Sequence, residues 1–253
     1  MNKAEQIQAR FFPETQVAGF SHVDGSVDFW SRVRALVTPE SRVLDYGAGR
    51  GAFIDNDRSP YRRQLKIVRG HAAHVTGCDV DPAVKENPFL DAADVIDFSA
   101  RLPYPDASFD LIYSNWVFEH VVDPAHVASE LLRVLKPGGW ICAATANKWG
   151  YVALVSAAVP NRSHAKVLSR VSPEVKDFDV FPTMYRMNTP GTLRRLFTGA
   201  RVVTYRRSSE PSYHFNNPLL YRGFMVLHDL MPSALQTGLF MFAQKAGSGA
   251  AVA

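Results

Sequence analysis

The stretch Val43-Leu44-Asp45-Tyr46-Gly47-Ala48-Gly49-Arg50-Gly51 constrains this chain more than any other. A short apolar run reads as a buried strand. Three alternate glycines follow it, where backbone turns sharply and approaches a ligand without Cβ clashes. A strand entering such a loop, with a helix after it, opens a ligand-binding βαβ unit. The spacing is G-x-G-x-G, not the G-x-G-x-x-G of dinucleotide sites. Asp45 stands two residues before the first glycine, and its carboxylate would repel a pyrophosphate. A ligand with an amino group and a sulfonium cation, and no phosphate, suits it better. Taken alone, Asp45 also reads as a turn-capping carboxylate.

The rest of the chain alternates strands and helices. Strands are predicted at Arg42–Asp45, His74–Cys78, Asp94–Ile96, Phe109–Ser114 and Trp140–Thr145, then at Arg201–Arg206 and Leu239–Gln244. Between the fourth and fifth, Asp123 reads as an N-cap and Pro124 as the first helical residue. Val127, Leu131, Leu132 and Leu135 share its apolar face, and Pro137-Gly138-Gly139 reads as the stop. Trp30, Val33 and Val37 mark a helix face within the first forty residues. This alternation implies a mostly parallel sheet covered on both faces. Asn147–Thr198 is too long for a simple connection and reads as a substrate-covering insertion that opens with a helix, Tyr151–Pro160. One domain, 1–246, is expected. It comprises a helical cap (1–40), a core (41–146), the insertion (147–198) and C-terminal strands and helix (199–246), before a flexible tail (247–253).

Composition narrows the function. Of 253 residues, 47% are hydrophobic and 21% charged, which supports a full core and excludes a disordered chain. A net charge of +4 is too small for a dedicated nucleic-acid binder, so no nucleic-acid partner is expected. The two cysteines, Cys78 and Cys142, sit in apolar runs and read as buried thiols of a cytoplasmic protein, not as a disulfide framework or a metal site. The N-terminus lacks the apolar core of a secretory signal, and no run suffices for a spanning helix. The apolar surface near Tyr151–Val159 and Leu219–Leu230 still allows peripheral membrane contact or a lipid-linked acceptor.

Downstream motifs accompany the glycine loop. They are Thr76-Gly77-Cys78-Asp79-Val80-Asp81, then Leu102-Pro103-Tyr104-Pro105-Asp106 with Ser108-Phe109-Asp110, and Arg133-Val134-Leu135-Lys136-Pro137-Gly138-Gly139. In this order, over roughly residues 41–145, the chain resembles the class I S-adenosylmethionine-dependent methyltransferases, in particular the type 11-like small-molecule group. The resemblance implies a Rossmann-like α/β fold, with a seven-stranded mixed sheet and an antiparallel last strand. It also implies S-adenosyl-L-methionine as cofactor.

The resemblance further implies roles. Asp45 would organise the loop near the amino acid end of the cofactor. Gly47, Ala48 and Gly49 would offer it backbone. Asp79, followed by Val80, would accept the ribose hydroxyls. Asp97 and the backbone of Phe98 would meet the adenine, and Asn115 would sit by the transferred methyl. Two departures stand out. The interval from Gly51 to Asp79 is longer than usual and carries Arg58, Arg62, Arg63, Lys66 and Arg69, so an extra loop or helix is expected there. Many relatives have an acidic residue where this chain has Phe98.

His120 is the first candidate base for a hydroxyl acceptor; the same residue also reads as a ring packed on strand four. Glu119 resembles the Glu of the corresponding stretch in cyclopropane fatty acid synthases, where it helps hold a bicarbonate base, but nothing else in the sequence completes that site. In the insertion, His164 is a second candidate base. Tyr185 and Arg186 are candidate substrate contacts, with Asp177 and Asp179 beside them. The basic run Arg58–Arg69 reads as a solvated face or an anion dock. The N-P-P-[YF] tetrapeptide of many amino-nitrogen methylating enzymes is absent, and Ser114-Asn115-Trp116-Val117 stands in its place. The expected reaction is therefore methylation of a small molecule, at a hydroxyl of a sugar, glycan or secondary metabolite. The alternatives are a quinone-type carbon methyltransferase and a non-catalytic, cofactor-binding partner subunit.

Overall fold

The computed structural model describes residues 2–158, 182–212 and 214–247. His164, Asp177 and Asp179 lie outside the described residues. Seven strands form one sheet: β1 (Arg42–Tyr46), β2 (His74–Asp79), β3 (Ala92–Val95), β4 (Phe109–Asn115), β5 (Leu135–Ala146), β6 (Ala200–Arg207) and β7 (Gly238–Lys245). Their order is β3-β2-β1-β4-β5-β7-β6. The first five pair in parallel, and β7 runs antiparallel between β5 and β6. This is the mixed sheet expected from the sequence. The chain leaves β1 toward β2 and β3, then returns to β4 on the other side of β1. That reversal opens a crevice at the carboxyl ends of β1 and β4, where open α/β sheets bind ligands.

Helices cover the sheet: α1 (Lys3–Phe11), α2 (Gly25–Leu36), α3 (Phe53–Asn56), α4 (Pro60–Lys66), α5 (Pro124–Val134), α6 (Tyr151–Ala158), α7 (Pro190–Leu196) and α8 (Pro218–Leu230). The Asp24 carboxylate caps α2, accepting the Val27 N–H at 3.0 Å. Phe29, Trp30 and Val33 on α2 are buried. Trp30 meets the Tyr113 ring of β4 edge-on at 5.1 Å, and Phe29 lies against Phe240 and Phe242 of β7. Truncating a buried aromatic of this kind costs about 3–5 kcal/mol, so these rings fix α2 beside the crevice.

On the opposite face, Val127, Ala128, Leu131 and Val134 of α5 are buried. Asp123 caps this helix through the N–H groups of Ala125 and His126, both at 3.1 Å. The helix stops at Val134, sooner than Pro137-Gly138-Gly139 suggests. Leu135 is already extended and pairs with Phe109 of β4, so sheet pairing ends the helix. Gly138, at φ +80°, then serves a register shift opposite Phe109–Leu111. Leu132 is only half-buried.

The basic segment 58–69 contains α4, and its cations fall into two sets: Arg62 and Lys66 are partly buried, Arg58 and Arg69 are exposed, and all four are ion-paired, whereas Arg63 donates to the Ile54 carbonyl. Arg62 bridges Asp57 at 2.8 Å and Asp24 at 2.5 Å, Lys66 reaches Asp57 at 2.7 Å, Arg69 reaches Asp91 at 2.8 Å, and Arg58 pairs with Glu5. These contacts tie the long β1–β2 connection to α2 and to β3.

Candidate active site

The loop after β1 turns back onto β2. The N–H groups of Gly47 and Ala48 both donate to the Cys78 carbonyl, at 2.8 and 3.1 Å. These two donors are therefore spent on the sheet, while the backbone of Gly47, Ala48 and Gly49 still lines the cavity below the loop. Gly47 has φ +81°, and a Cβ there would come within 2.2 Å of Val117, so no other residue fits. The Gly49 N–H donates to Asp79 Oδ2 at 2.9 Å, and the Asp81 N–H donates to Asp79 Oδ1 at 2.9 Å. Asn87 closes the loop from the other side. Its amide donates to the carbonyls of Ala48 and Gly49 at 3.2 and 3.1 Å. Nothing in the sequence marked Asn87, because its role depends on a fold contact across 38 residues.

Below the loop lies a cavity of about 260 Å³, lined by Trp30, Asp45, Gly47 through Phe53, Lys66, Asp79, Asp81, Tyr113 and Asn115. Burial pushes the Asp45 carboxyl up to about 7. The Tyr113 hydroxyl, which donates a hydrogen bond to it, opposes that shift, and the Asp79 charge adds to it. Burial, then the Asp45 charge, holds the Tyr113 phenol well above its ordinary range. The cavity lining thus carries the carboxyl groups of Asp45, Asp79 and Asp81 against the cations of Arg50 and Lys66, and Lys66 is already paired with Asp57, a balance that favours a cationic ligand. The indole N–H of Trp30 is buried and has no partner among the described residues, which leaves a donor for a bound group. These features fit a ligand with a sulfonium and an amino acid end. The sequence placed Trp30 only on a helix face and Lys66 only in a basic run, and it missed Tyr113.

A second cavity, about 440 Å³, shares Asn115 with the first. Its wall is mostly apolar and includes Phe29, Trp116, Ala144, Val152 and Phe240, with Ser26, Ser209, Ser212, Thr237 and Arg207 at polar positions. None of its described lining residues is His, Asp or Glu. Trp116 is held at φ +58°, an uncommon conformation for a bulky residue, directly after Asn115.

Several residues singled out in the sequence lie elsewhere. His120 lines neither cavity, and its Nδ1 lies 3.0 Å from the Pro182 carbonyl oxygen. Glu119 is buried. Its Oε2 accepts the Thr145 hydroxyl at 2.7 Å, and that hydroxyl accepts the Asn188 amide at 2.7 Å. Burial raises the Glu119 carboxyl above its usual range, with Thr145 opposing. The Tyr185 N–H donates to the Glu119 carbonyl at 3.1 Å, and Arg186 donates to the Val122 carbonyl at 2.6 Å. Both residues fasten the 182–189 segment to the 3₁₀ turn Phe118–His120, away from the cavity walls. Asp97 is exposed, and its carboxylate accepts the Ser99 N–H and hydroxyl at 2.8 and 2.7 Å. Those two bonds hold it below the usual carboxylate range. Phe98 packs on Tyr46 at 5.0 Å, and Val80 is half-buried; neither lines the first cavity. The structure thus gathers Asp45, Gly47, Ala48, Gly49, Asp79 and Asn115 around the first cavity, and the other described candidates do not line it. Among the described residues, no group of three or more His, Cys, Asp or Glu could hold a metal, and no helix is long and apolar enough to cross a membrane.

Sheet order, glycine loop and strand-end acids together define the class I methyltransferase fold, with S-adenosyl-L-methionine as its cofactor. Residues 44–143 match the methyltransferase domain family. Over 138 residues the chain is 34% identical to a 2-methyl-6-phytyl-1,4-hydroquinone methyltransferase of Synechocystis sp., covering 50% of this chain and 40% of that protein. Over 111 residues it is 47% identical to a probable S-adenosylmethionine-dependent methyltransferase of Mycolicibacterium smegmatis, covering 42% and 38%. The matched part thus spans about two fifths of these relatives' length. Among solved structures, an S-adenosylmethionine-dependent methyltransferase of Mesorhizobium loti matches with a TM-score of 0.51 at 18% identity, over 88% of this chain and all of that one. A chain of the complex between the Haloferax volcanii Trm112 methyltransferase activator and its methyltransferase matches with 0.51 at 17%, over 96% and 97%.

Proposed function

We propose that this chain methylates a small molecule with an apolar body, bound in the second cavity, from S-adenosyl-L-methionine in the first. The observation that carries the reading is the junction of the two cavities at Asn115. When bound, the cofactor supplies an electrophilic methyl group. Asp45 and Asp79 balance its positive charge, and Trp30 offers its free N–H. Phe29 and Phe240 exclude water from the acceptor side, and the pair of cavities supplies proximity, the main requirement for an in-line transfer. A phenol, or a ring carbon made nucleophilic by hydroxyl groups, suits a wall whose described residues hold no general base. A sugar, with many hydroxyls to satisfy, suits this wall less well. Relatives of this chain include a hydroquinone methyltransferase and a ubiquinone biosynthesis O-methyltransferase, which supports a quinol-type or secondary-metabolite acceptor.

Calorimetry with S-adenosylmethionine and S-adenosylhomocysteine, on wild type and Asp79→Ala, tests the cofactor half. The acceptor half is tested by methyl transfer to hydroquinones, catechols and sugars. The reading requires binding on the order of micromolar, lost in the variant, and turnover on aromatic acceptors. Transfer to sugars alone would refute the acceptor assignment. Cofactor binding without any turnover would favour a partner subunit.

A further inference from the structure

We propose that the acceptor carries an anionic head on its apolar body, and that Arg207 holds that head in the second cavity. This rests on the reading of that cavity as the acceptor site. Arg207 is the last residue of β6 and pairs with Gly238 at the start of β7, so the sheet fixes its backbone at the cavity wall. Its Nη2 donates to the His22 carbonyl oxygen at 2.5 Å, a contact that orients the guanidinium without neutralising it. Among the described residues, no carboxylate lies within ion-pair distance of Arg207, in contrast to Arg32, Arg62 and Arg133. The neighbouring acid Asp28 is bonded to Arg32 and Tyr205.

A planar guanidinium with donors to spare, at the edge of an apolar wall, matches a carboxylate or phosphate through two parallel hydrogen bonds. Phe29 and Phe240 line the same cavity, and Asn115 marks its boundary with the cofactor. An acceptor anchored at Arg207 therefore lays its apolar part along the aromatic rings and presents its reacting atom toward Asn115. A neutral acceptor covering the half-buried Arg207 would leave its guanidinium without a counter-ion, which is unfavourable. Arg207 would thus decide which acceptors are taken.

The test is calorimetric titration of four probes, each with and without S-adenosylhomocysteine: 3,4-dihydroxycinnamate, its methyl ester, 3,4-dihydroxybenzylphosphonate and its diethyl ester. Wild type is expected to bind at least one anion about tenfold or more tighter than its ester, with the two anions distinguishing a carboxylate from a phosphate preference. Arg207→Met should abolish that preference, and Arg207→Lys should retain part of it, with S-adenosylhomocysteine affinity unchanged in both. Equal affinity for acids and esters, a preference surviving in Arg207→Met, or no binding of either anion would overturn the proposal. Failure of wild type to bind S-adenosylhomocysteine would instead count against the methyltransferase reading, and the titrations without it would still decide the role of Arg207.

Discussion

Asp79 Oδ2 accepts the Gly49 N–H at 2.9 Å, so the carboxylate ending β2 holds the loop that follows β1. The same carboxylate lines the first cavity, and one group therefore shapes the loop and faces that cavity. Replacing it by Asn keeps the size and one acceptor oxygen but removes the charge. Asp79→Asn should weaken cofactor binding by about ten- to a hundredfold, with a smaller loss of stability. Calorimetry and a thermal melt on the same sample separate the two effects.

Asp45 gives a pH signature. Its carboxyl is raised from 3.8 to about 7, chiefly by burial. A group whose folded pKa is raised contributes stability that is full below the unfolded pKa and is lost as pH rises through the folded one. Wild type should therefore lose about 1–3 kcal/mol relative to Asp45→Asn between pH 4 and pH 8. Urea unfolding of both proteins at several pH values checks this, and parallel curves would count against it. A cationic ligand favours the ionised form, so binding S-adenosylmethionine near pH 6.5 should release a proton. Titrations in buffers of different ionisation enthalpy would detect it.

The buried cluster of Asp57 with Arg62 and Lys66 has the opposite sign. These two cations, opposing the effect of burial, hold the Asp57 carboxyl below its usual range. Its contribution is present above the unfolded pKa, near 4, and disappears as the solution becomes more acid than that. Asp57→Ala leaves two partly buried cations short of a partner and should cost about 3–5 kcal/mol at pH 7. The loss should shrink below pH 4, as chemical denaturation would show.

The Glu119–Thr145–Asn188 chain of hydrogen bonds is positional, and its variants should separate folding from chemistry. Glu119→Gln retains an acceptor for the Thr145 hydroxyl, and burial already disfavours the charge, so stability should change by less than about 1 kcal/mol. Thr145→Val removes both bonds and should cost about 2–3 kcal/mol. His120→Ala should leave the rate within about threefold of wild type, because the ring lies outside both cavities. A hundredfold loss would restore it as the base.

Much of the fold was legible because its signals are local. The apolar runs of β1, β4 and β7, the Asp123 cap of α5 and the glycines after β1 each declare themselves within a few residues. Asp45, Asp79 and Asn115 were legible for a related reason: each lies at or near the end of a strand whose place in the sheet follows from the alternating pattern. A turn carboxylate and a ligand carboxylate look alike in sequence, so the bonds of Asp97 to Ser99 and its place outside the first cavity were not legible there.

The sequence by itself determined the strand–loop chemistry that selects a cofactor, because spacing and backbone freedom are properties of neighbouring residues. The tertiary structure alone decided which groups face the cavities. Trp30 reaches the first cavity because α2 packs on β4 and β7. Asn87 clamps a loop 38 residues away. His120 is turned out because the 182–189 segment is bonded to its turn. Arg62 and Lys66 lose their apparent freedom because Asp24 and Asp57 meet them. Each outcome depends on contacts between distant elements, and these form only once the sheet has brought its carboxyl ends together.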